Sequence, residues 1–202
     1  MNELIQIVDI LTTDEVEKLN TFVDTLEFQP NDVISYGDDG IINKDFRSSS
    51  GVILDDEHPL IINFHTKLNE GLNEYKNRLI NLHDTFDGFP VPGGSRTGAC
   101  WREKIQILDY EKDQEFKYHF DMADYPDSEF YYRTISIIVY LTNDFEGGRT
   151  LFPHQAFKPK IGQALIFPSN WCFPHAGEKV KSGKKRVAVT WYYCRDNTIN
   201  ID

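Results

Sequence analysis

The sequence predicts a mostly β protein with supporting helices, its strands forming a sandwich or barrel. Three observations carry that expectation. After residue 98 the chain becomes a succession of short apolar runs separated by turn residues, the pattern of a closed or layered β fold. Aromatic residues make up 13% of the chain and hydrophobic residues 40%, enough for a sizeable core and weighted toward residues that suit a pleated sheet. Before residue 98 the apolar spacing is instead helical, in two stripes.

The first stripe is Val16, Leu19, Phe22, Val23 and Leu26. It follows Thr12 and Glu15, whose spacing is that of a capping box. The second follows Asp55 and Asp56 and runs through Leu60, Phe64, Leu68, Leu72, Tyr75, Leu79 and Leu82. Between them, "NDVISYGDDGIINKDFRSSSGVILDD" reads as short strands joined by turns. The Gly/Pro-rich loop Asp87 to Gly98, "DGFPVPGGSRTG", is a linker or a lid. The expected strands then come in order: "ACWREKIQILDY", "EFKYHFD", "RTISIIVYLT", "GGRTLFP", "AFKPKIGQALIFP", "WCFPHAG" and "KKRVAVTWYYC". The tail from Asp196 is polar. At 202 residues the chain is expected to be one domain, residues 1–97 supplying helices and short strands and residues 98–195 the β core.

Composition excludes several classes of function. A net charge of -11 argues against a protein that tracks nucleic-acid phosphates. It suits either solubility or a preference for basic partners. The N-terminus "MNELIQIVDILTTDE" lacks a basic leader, and no run reaches the ~20 apolar residues of a membrane span. A cytoplasmic protein with no membrane partner is expected. The cysteines Cys100, Cys172 and Cys194 are odd in number and lack CxxC spacing, which indicates neither a zinc knuckle nor a disulfide framework and makes reduced thiols the default.

In "KYHFDMADY", His119 and Asp121 stand two residues apart and would share one face of a strand. So short a pattern also recurs by accident on exposed strands. A third ligand would have to come from another histidine. His58, His65 and His83 lie in or beside the second helix, and His154 lies in a turn. His175, in "WCFPHAGEKV", follows a strongly apolar strand. Two histidines and a carboxylate make the facial triad of non-haem iron oxygenases, but also suit a three-ligand zinc hydrolase. In "SGKKRVAVTWYY", Lys185 shares a face with Val187 and Val189. There it either snorkels to water or meets an anion. An inward Lys185 fits iron with a carboxylate co-substrate better than zinc.

From Ile105 to Trp191 the chain resembles the 2-oxoglutarate- and Fe(II)-dependent dioxygenases, and within them the prolyl 4-hydroxylase-like group. The resemblance runs in unbroken order through "IQILDYEKDQEFKYHFDMADY", "RTISIIVYLTNDFEGGRTLFP", "KPKIGQALIFPSN" and "HAGEKVKSGKKRVAVTW". The stretch "DFRSSS" is similar to an Arg-Ser segment of the group. The resemblance implies a double-stranded β-helix, a distorted jelly roll, with residues 98–195 as its catalytic core. It implies His119, Asp121 and His175 as iron ligands. It implies Lys185 as the cation for the distal carboxylate of 2-oxoglutarate, with Tyr110, Tyr140 and Trp191 lining that co-substrate site. Spacing to Gly183 and Trp191 favours Lys185 over Arg186, which alternation then puts on an outer face as a surface position.

The cofactors implied are Fe(II), 2-oxoglutarate, O2 and ascorbate. The partner implied is a proline-containing peptide or protein, contacted by the Asp87–Gly98 loop and by "MADYPDSEFYYR". Hydroxylation of another residue, a free amino acid or a small molecule is the alternative within the family. A non-catalytic 2-oxoglutarate-binding jelly roll is the alternative outside it. Monomer and homodimer are both left open.

Overall fold

The computed structural model describes residues 2–31, 43–88, 100–122, 124–125 and 128–195. The N-terminal part holds β1 (Gln6–Asp9), α1 (Thr13–Val23), β2 (Gln29–Pro30), β3 (Ser50–Ile53) and α2 (Pro59–Leu82). There follow β4 (Cys100–Arg102), β5 (Gln106–Tyr110), β6 (Phe116–His119), β7 (Asp124–Tyr125) and β8 (Ser128–Tyr140). The last part holds β9 (Glu146–Gly147), β10 (Thr150–Phe152), β11 (Gln155–Phe157), β12 (Gln163–Pro168), β13 (His175–Gly177), β14 (Val180–Ser182) and β15 (Lys185–Arg195).

Two antiparallel sheets make the jelly roll. The major sheet runs β1-β12-β8-β15-β5-β3-β2, with β4 added to β15 and β7 to β8. The minor sheet runs β11-β10-β13-β6. Strand alternation divides the major sheet's residues cleanly between two cores. Ile107, Ile135, Ile137, Val139, Ala164, Ile166, Ala188 and Tyr192 pack with Val16, Leu19 and Val23 of α1 and Phe64, Leu68, Leu72 and Tyr75 of α2. The intervening residues Leu108, Tyr110, Tyr140, Val187 and Val189 form a separate cluster on the other face. With both faces covered, β8 and β15 must be apolar at nearly every position, as "TISIIVY" and "VAVTWYY" are.

The helices arise where expected, with adjustments. Thr12 caps α1 through a complete capping box. The α2 helix starts with Pro59 at its first turn and His58 as an N-cap without a side-chain hydrogen bond. Its buried stripe begins at Ile61 rather than Leu60, since Ile61 is the residue in step with Phe64, Leu68 and Leu72. Leu82, in the last turn, is 46% exposed. No helix among the described residues is long and apolar enough to cross a membrane.

Three strand expectations change. "ACWREKIQILDY" is two strands, because the chain leaves the end of β15 at Glu103, whose amide bonds Trp191 O, and then pairs β5 with both β15 and β3. "AFKPKIGQALIFP" also divides, β11 joining the minor sheet and β12 the major. The N-terminal "QIVD" is a strand, β1, which completes the major sheet by pairing with β12.

Arg186 is not a surface position. It does lie opposite in face to Lys185, but that face is covered by α1, leaving the side chain 7% exposed. Its guanidinium donates to both oxygens of Asp109, at 2.7 and 2.9 Å, and to Asp24 Oδ1 at the end of α1, at 2.7 Å. Arg186→Ala removes the partner of a carboxylate that is itself 4% exposed. Loss of one member of such a pair costs roughly 3–5 kcal/mol. Lys184 Nζ, 2.7 Å from Asp109, offsets part of that, so the expected loss is about 3 kcal/mol. Urea unfolding should show a lowered midpoint at unchanged m value.

Candidate active site

The site lies between the two sheets. His119 ends β6 and His175 begins β13, and these two residues are register partners across the minor sheet. Asp121 follows two residues after His119, beyond the end of β6 rather than on it. One ligand atom from each of His119, Asp121 and His175 falls within 4.8 Å of the others. Both imidazole Nε2 atoms stand 3.5 Å from an Asp121 oxygen.

Ring orientation follows from backbone hydrogen bonds. His119 Nδ1 is 2.7 Å from Lys117 O, and His175 Nδ1 is 3.2 Å from Phe173 O. A carbonyl only accepts, so each Nδ1 carries a proton and each ring turns its Nε2 toward Asp121. Phe116 stacks on His119 at 3.7 Å between centroids, and Phe167 meets His175 edge-on at 4.7 Å. Burial pushes His175 down to about 4, against the raising effect of Asp121. Burial pushes Asp121 up, but His175 and His119 outweigh it and hold the carboxyl well below its ordinary range. Two imidazole Nε2 atoms and a carboxylate converging on one point are the donor set of a divalent metal site. The three residues present fit one.

The major sheet holds the carboxylate in place. Ser136 Oγ donates to Asp121 Oδ2 at 2.7 Å and lies 2.8 Å from Ser169 Oγ. The Trp191 indole lies beside Asp121 and helps to hold its carboxyl below the ordinary range. Ser136 and Trp191 are register partners on β8 and β15, so one rung of the ladder carries both contacts. Arg133 stacks its guanidinium 3.8 Å from the Trp191 ring.

Deeper along the same face, Lys185 is 3% exposed. Among the described residues its Nζ has no hydrogen-bond acceptor or ion-pair partner. It faces the rings of Tyr110 and Tyr140, 5.0 and 5.4 Å from their centroids. Tyr140 Oη pairs with Thr150 Oγ1 at 2.8 Å, and Ser49 lies near enough to the Tyr110 hydroxyl to lower its pKa. Burial pushes both phenols up, so they remain protonated donors. Gly148, at φ +61°, is required here: a Cβ would lie 2.9 Å from the Phe145 ring and 3.3 Å from Lys185 Cδ. The segment "DFRSSS" also comes to this end of the site. Arg47 lies 4.8 Å over the Phe116 ring, and Ser49 reaches Tyr110.

The structure therefore brings together His119, Asp121, His175, Lys185, Tyr110, Tyr140 and Trp191. Ser136, Thr150 and Phe116 join them without having been singled out in the sequence. Only the pairing of Ser136 with Trp191 marks it, and that pairing requires the sheet. His154 is exposed, His58 stacks on Phe22, and His65 pairs with Asp56. The loop over residues 89–98 lies outside the described residues, as do Ala123, Pro126 and Asp127 of "MADYPDSEFYYR".

Residues 105–193 match the family model described as the 2OG-Fe(II) oxygenase superfamily. This segment belongs to that superfamily. A mimivirus relative named "Putative prolyl 4-hydroxylase" is 37% identical over 107 residues, which is 45% of this chain and 44% of the relative. The chain thus spans less than half the length of that curated relative. Among solved structures, the viral collagen prolyl hydroxylase of Paramecium Bursaria Chlorella virus-1, in its 2OG complex, superposes with a TM-score of 0.67. That match is 23% identical and covers 95% of this chain and 96% of the other. A Trichoplax adhaerens prolyl hydroxylase, in complex with a hypoxia inducible factor oxygen degradation domain peptide fragment, gives 0.66 at 12% identity, covering 95% and 84%. The oxygenase fold thus extends beyond the segment matched by the family model.

Lys185 has a measurable cost. Burial pushes its pKa from 10.5 down to about 7, with Glu178 raising it and Lys158 lowering it further. Between those two values the unfolded chain binds a proton that the folded chain does not, so stability rises with pH across that window. Lys185→Met removes the buried charge. Its melting temperature should exceed that of the wild type most at and below pH 7, and the gap should narrow toward pH 10. A gap independent of pH would mean that Lys185 reaches water.

Proposed function

We propose that this protein is an Fe(II)- and 2-oxoglutarate-dependent oxygenase that hydroxylates a prolyl residue in a peptide or protein. The observation that carries the proposal is one site between the two sheets bearing both a His-Asp-His cluster and a buried lysine with no ion-pair partner among the described residues. His119, Asp121 and His175 would hold the iron, leaving coordination positions for co-substrate and oxygen. The bound iron supplies the oxygen chemistry that no side chain provides. The chain's own residues bind, orient and exclude water.

Lys185 offers the far carboxylate of 2-oxoglutarate its counter-charge, and that carboxylate gives the lysine the partner it lacks. Tyr110, Tyr140 and Thr150 present hydroxyls beside it. Leu108, Val187, Val189 and Ile138 keep the walls dry, which strengthens the ion pair. Ser136 and Trp191 hold Asp121 oriented. Trp191 thus serves the metal side of the site as well as the co-substrate wall. A zinc hydrolase would use the same three ligands but leaves Lys185 with nothing to do. The prolyl assignment is supported by the names of the relatives, and the peptide as substrate by the complex of the Trichoplax protein. Ascorbate enters as the reductant that sustains turnover.

The test is aerobic incubation with Fe(II), 2-oxoglutarate and ascorbate, with and without a panel of proline-containing peptides. Succinate and the peptide masses are both measured. One added oxygen should map to a prolyl residue. Oxidation confined to lysine or to free amino acids would sink the prolyl assignment and spare the iron chemistry. His119→Ala, Asp121→Ala and His175→Ala should each abolish succinate formation while unfolding cooperatively. Full activity with zinc and no oxygen would favour the hydrolase.

Lys185→Ala leaves the distal carboxylate buried without its cation, a loss of roughly 3–5 kcal/mol. At about 1.4 kcal/mol per tenfold, apparent 2-oxoglutarate affinity should fall at least ~100-fold. Wild-type-like affinity in that variant would remove Lys185 from the co-substrate site.

A further inference from the structure

The register of β4 on β15 sets Arg102 opposite Tyr192. Residues directly opposite in an antiparallel pair share a face of the sheet, and Tyr192 belongs to the core beneath α1 and α2. Arg102 therefore points to the helix side, away from the candidate active site, with its guanidinium 5.7 Å from the centroid of the Tyr192 ring. The α2 helix meets it there. Tyr192 Oη donates to Asn69 Oδ1 at 2.6 Å, and His65 lies one turn before Asn69 on the same face of α2.

This corner holds buried polar atoms without partners. Arg102 Nε and Nη1 are buried with no hydrogen-bond acceptor, and His65 Nδ1 is buried with no partner. Asp56, in the connection from β3 to α2, is engaged by His65 instead: its Oδ1 lies 2.7 Å from His65 Nε2. Among the described residues, no carboxylate is in ion-pair contact with the guanidinium. Burial pulls the Arg102 pKa down, with Tyr192 and Asp56 raising it. Burial also pulls His65 down, and Arg102 lowers it further against the raising effect of Asp56. An arginine stays charged even so, and a buried cation is costly unless an anion meets it. Buried N–H groups without acceptors add to that cost.

We infer that Arg102 and His65 form a binding site for a small oxyanion, a carboxylate or a sulfate- or phosphate-like group, on the helix side of the major sheet. The planar guanidinium offers N–H donors in a fork that matches two oxygens of such a group. His65 supplies the second contact. Its Nε2 is committed to Asp56, so a proton on the other ring nitrogen makes Nδ1 a donor toward the anion. Charges then balance, with Arg102 and protonated His65 against Asp56 and the anion. Anion and proton consequently bind together. Access from solvent runs past Asp56 and His65, whose side chains are 40% and 18% exposed.

The test is made on the full chain in a Lys185→Met background, which removes the other buried cation from the measurement. Melting temperature and calorimetric binding are followed with sulfate and with acetate, against sodium chloride at matched ionic strength. At least one of the two should raise the melting temperature saturably, by ~2 °C or more, and comparison of the two arms tells a tetrahedral oxyanion from a carboxylate. Arg102→Met should weaken that binding at least ~10-fold. It should also melt above its parent in chloride alone, because no unpaired cation remains. Sulfate keeps its charge across the range, so pH dependence reports the protein: affinity should fall from about pH 5.5 to about pH 8, and His65→Phe should bind weakly and without that dependence. An unchanged anion response in Arg102→Met overturns the inference, as does a response to both anions no greater than that to chloride. Melting of Arg102→Met below its parent in chloride also overturns it, since the guanidinium would then serve only to pack on Tyr192.

Discussion

Across β5 and β15, Arg186 and Asp109 stand opposite each other on one face of the sheet, and Lys185 and Tyr110 stand opposite each other on the other. The first pair is closed by two hydrogen bonds and anchored to α1 through Asp24. The second is left open toward the interior. Everything at the site depends on this register. Side chains in a strand alternate with a period of two, so a slip of one residue would turn Arg186 into the site and Lys185 against the helix. The charge pair beneath α1 penalises that slip, because Asp109 would lose its partner in a dry environment. An ion pair on the far face of the sheet therefore decides which cation faces the interior.

The same ladder joins the two halves of the site. The cluster of His119, Asp121 and His175 belongs to the minor sheet and the chain leaving it. Ser136 and Trp191, which hold the carboxylate, belong to the major sheet. Asp121 thus ties one sheet to the other. Its orientation is set from two neighbouring strands rather than by its own loop, which has left β6 by that point. Two imidazoles oriented by backbone carbonyls and one carboxylate held by a hydroxyl beside an indole make a site shaped before any metal arrives. Preformed ligands of this kind need little reorganisation on binding.

Lys185 stands in tension with that stability. Its ammonium sits among tyrosine rings and aliphatic walls with no carboxylate in ion-pair contact among the described residues, and burial lowers its pKa substantially. A core selected for stability alone would place a methionine or leucine there. In the function proposed above, an anion that arrives from outside accounts for a cation retained in such a place. For this reason the lysine carries more functional information than the His-Asp-His cluster, which two kinds of metal could share.

Much of this was legible in the sequence. The capping box of α1, the stripe of α2 and the apolar runs of β8 and β15 are local patterns, readable because helix and strand periodicities are fixed by backbone geometry. The order of motifs from Ile105 to Trp191 pointed to seven candidate residues, and the fold places them near one another. Gly183 and Trp191 gave the spacing that distinguishes Lys185 from Arg186. What the sequence could not supply is every relation that depends on which strand lies beside which. Arg186 read as a surface residue because its cover, α1, is remote in the chain. Ser136 read as an ordinary strand serine because its partner, Trp191, is apposed only by the pairing of β8 with β15. Periodicity says which residues share a face, but only the closed sheet says what that face meets, since pairing between distant strands is a property of the folded chain as a whole.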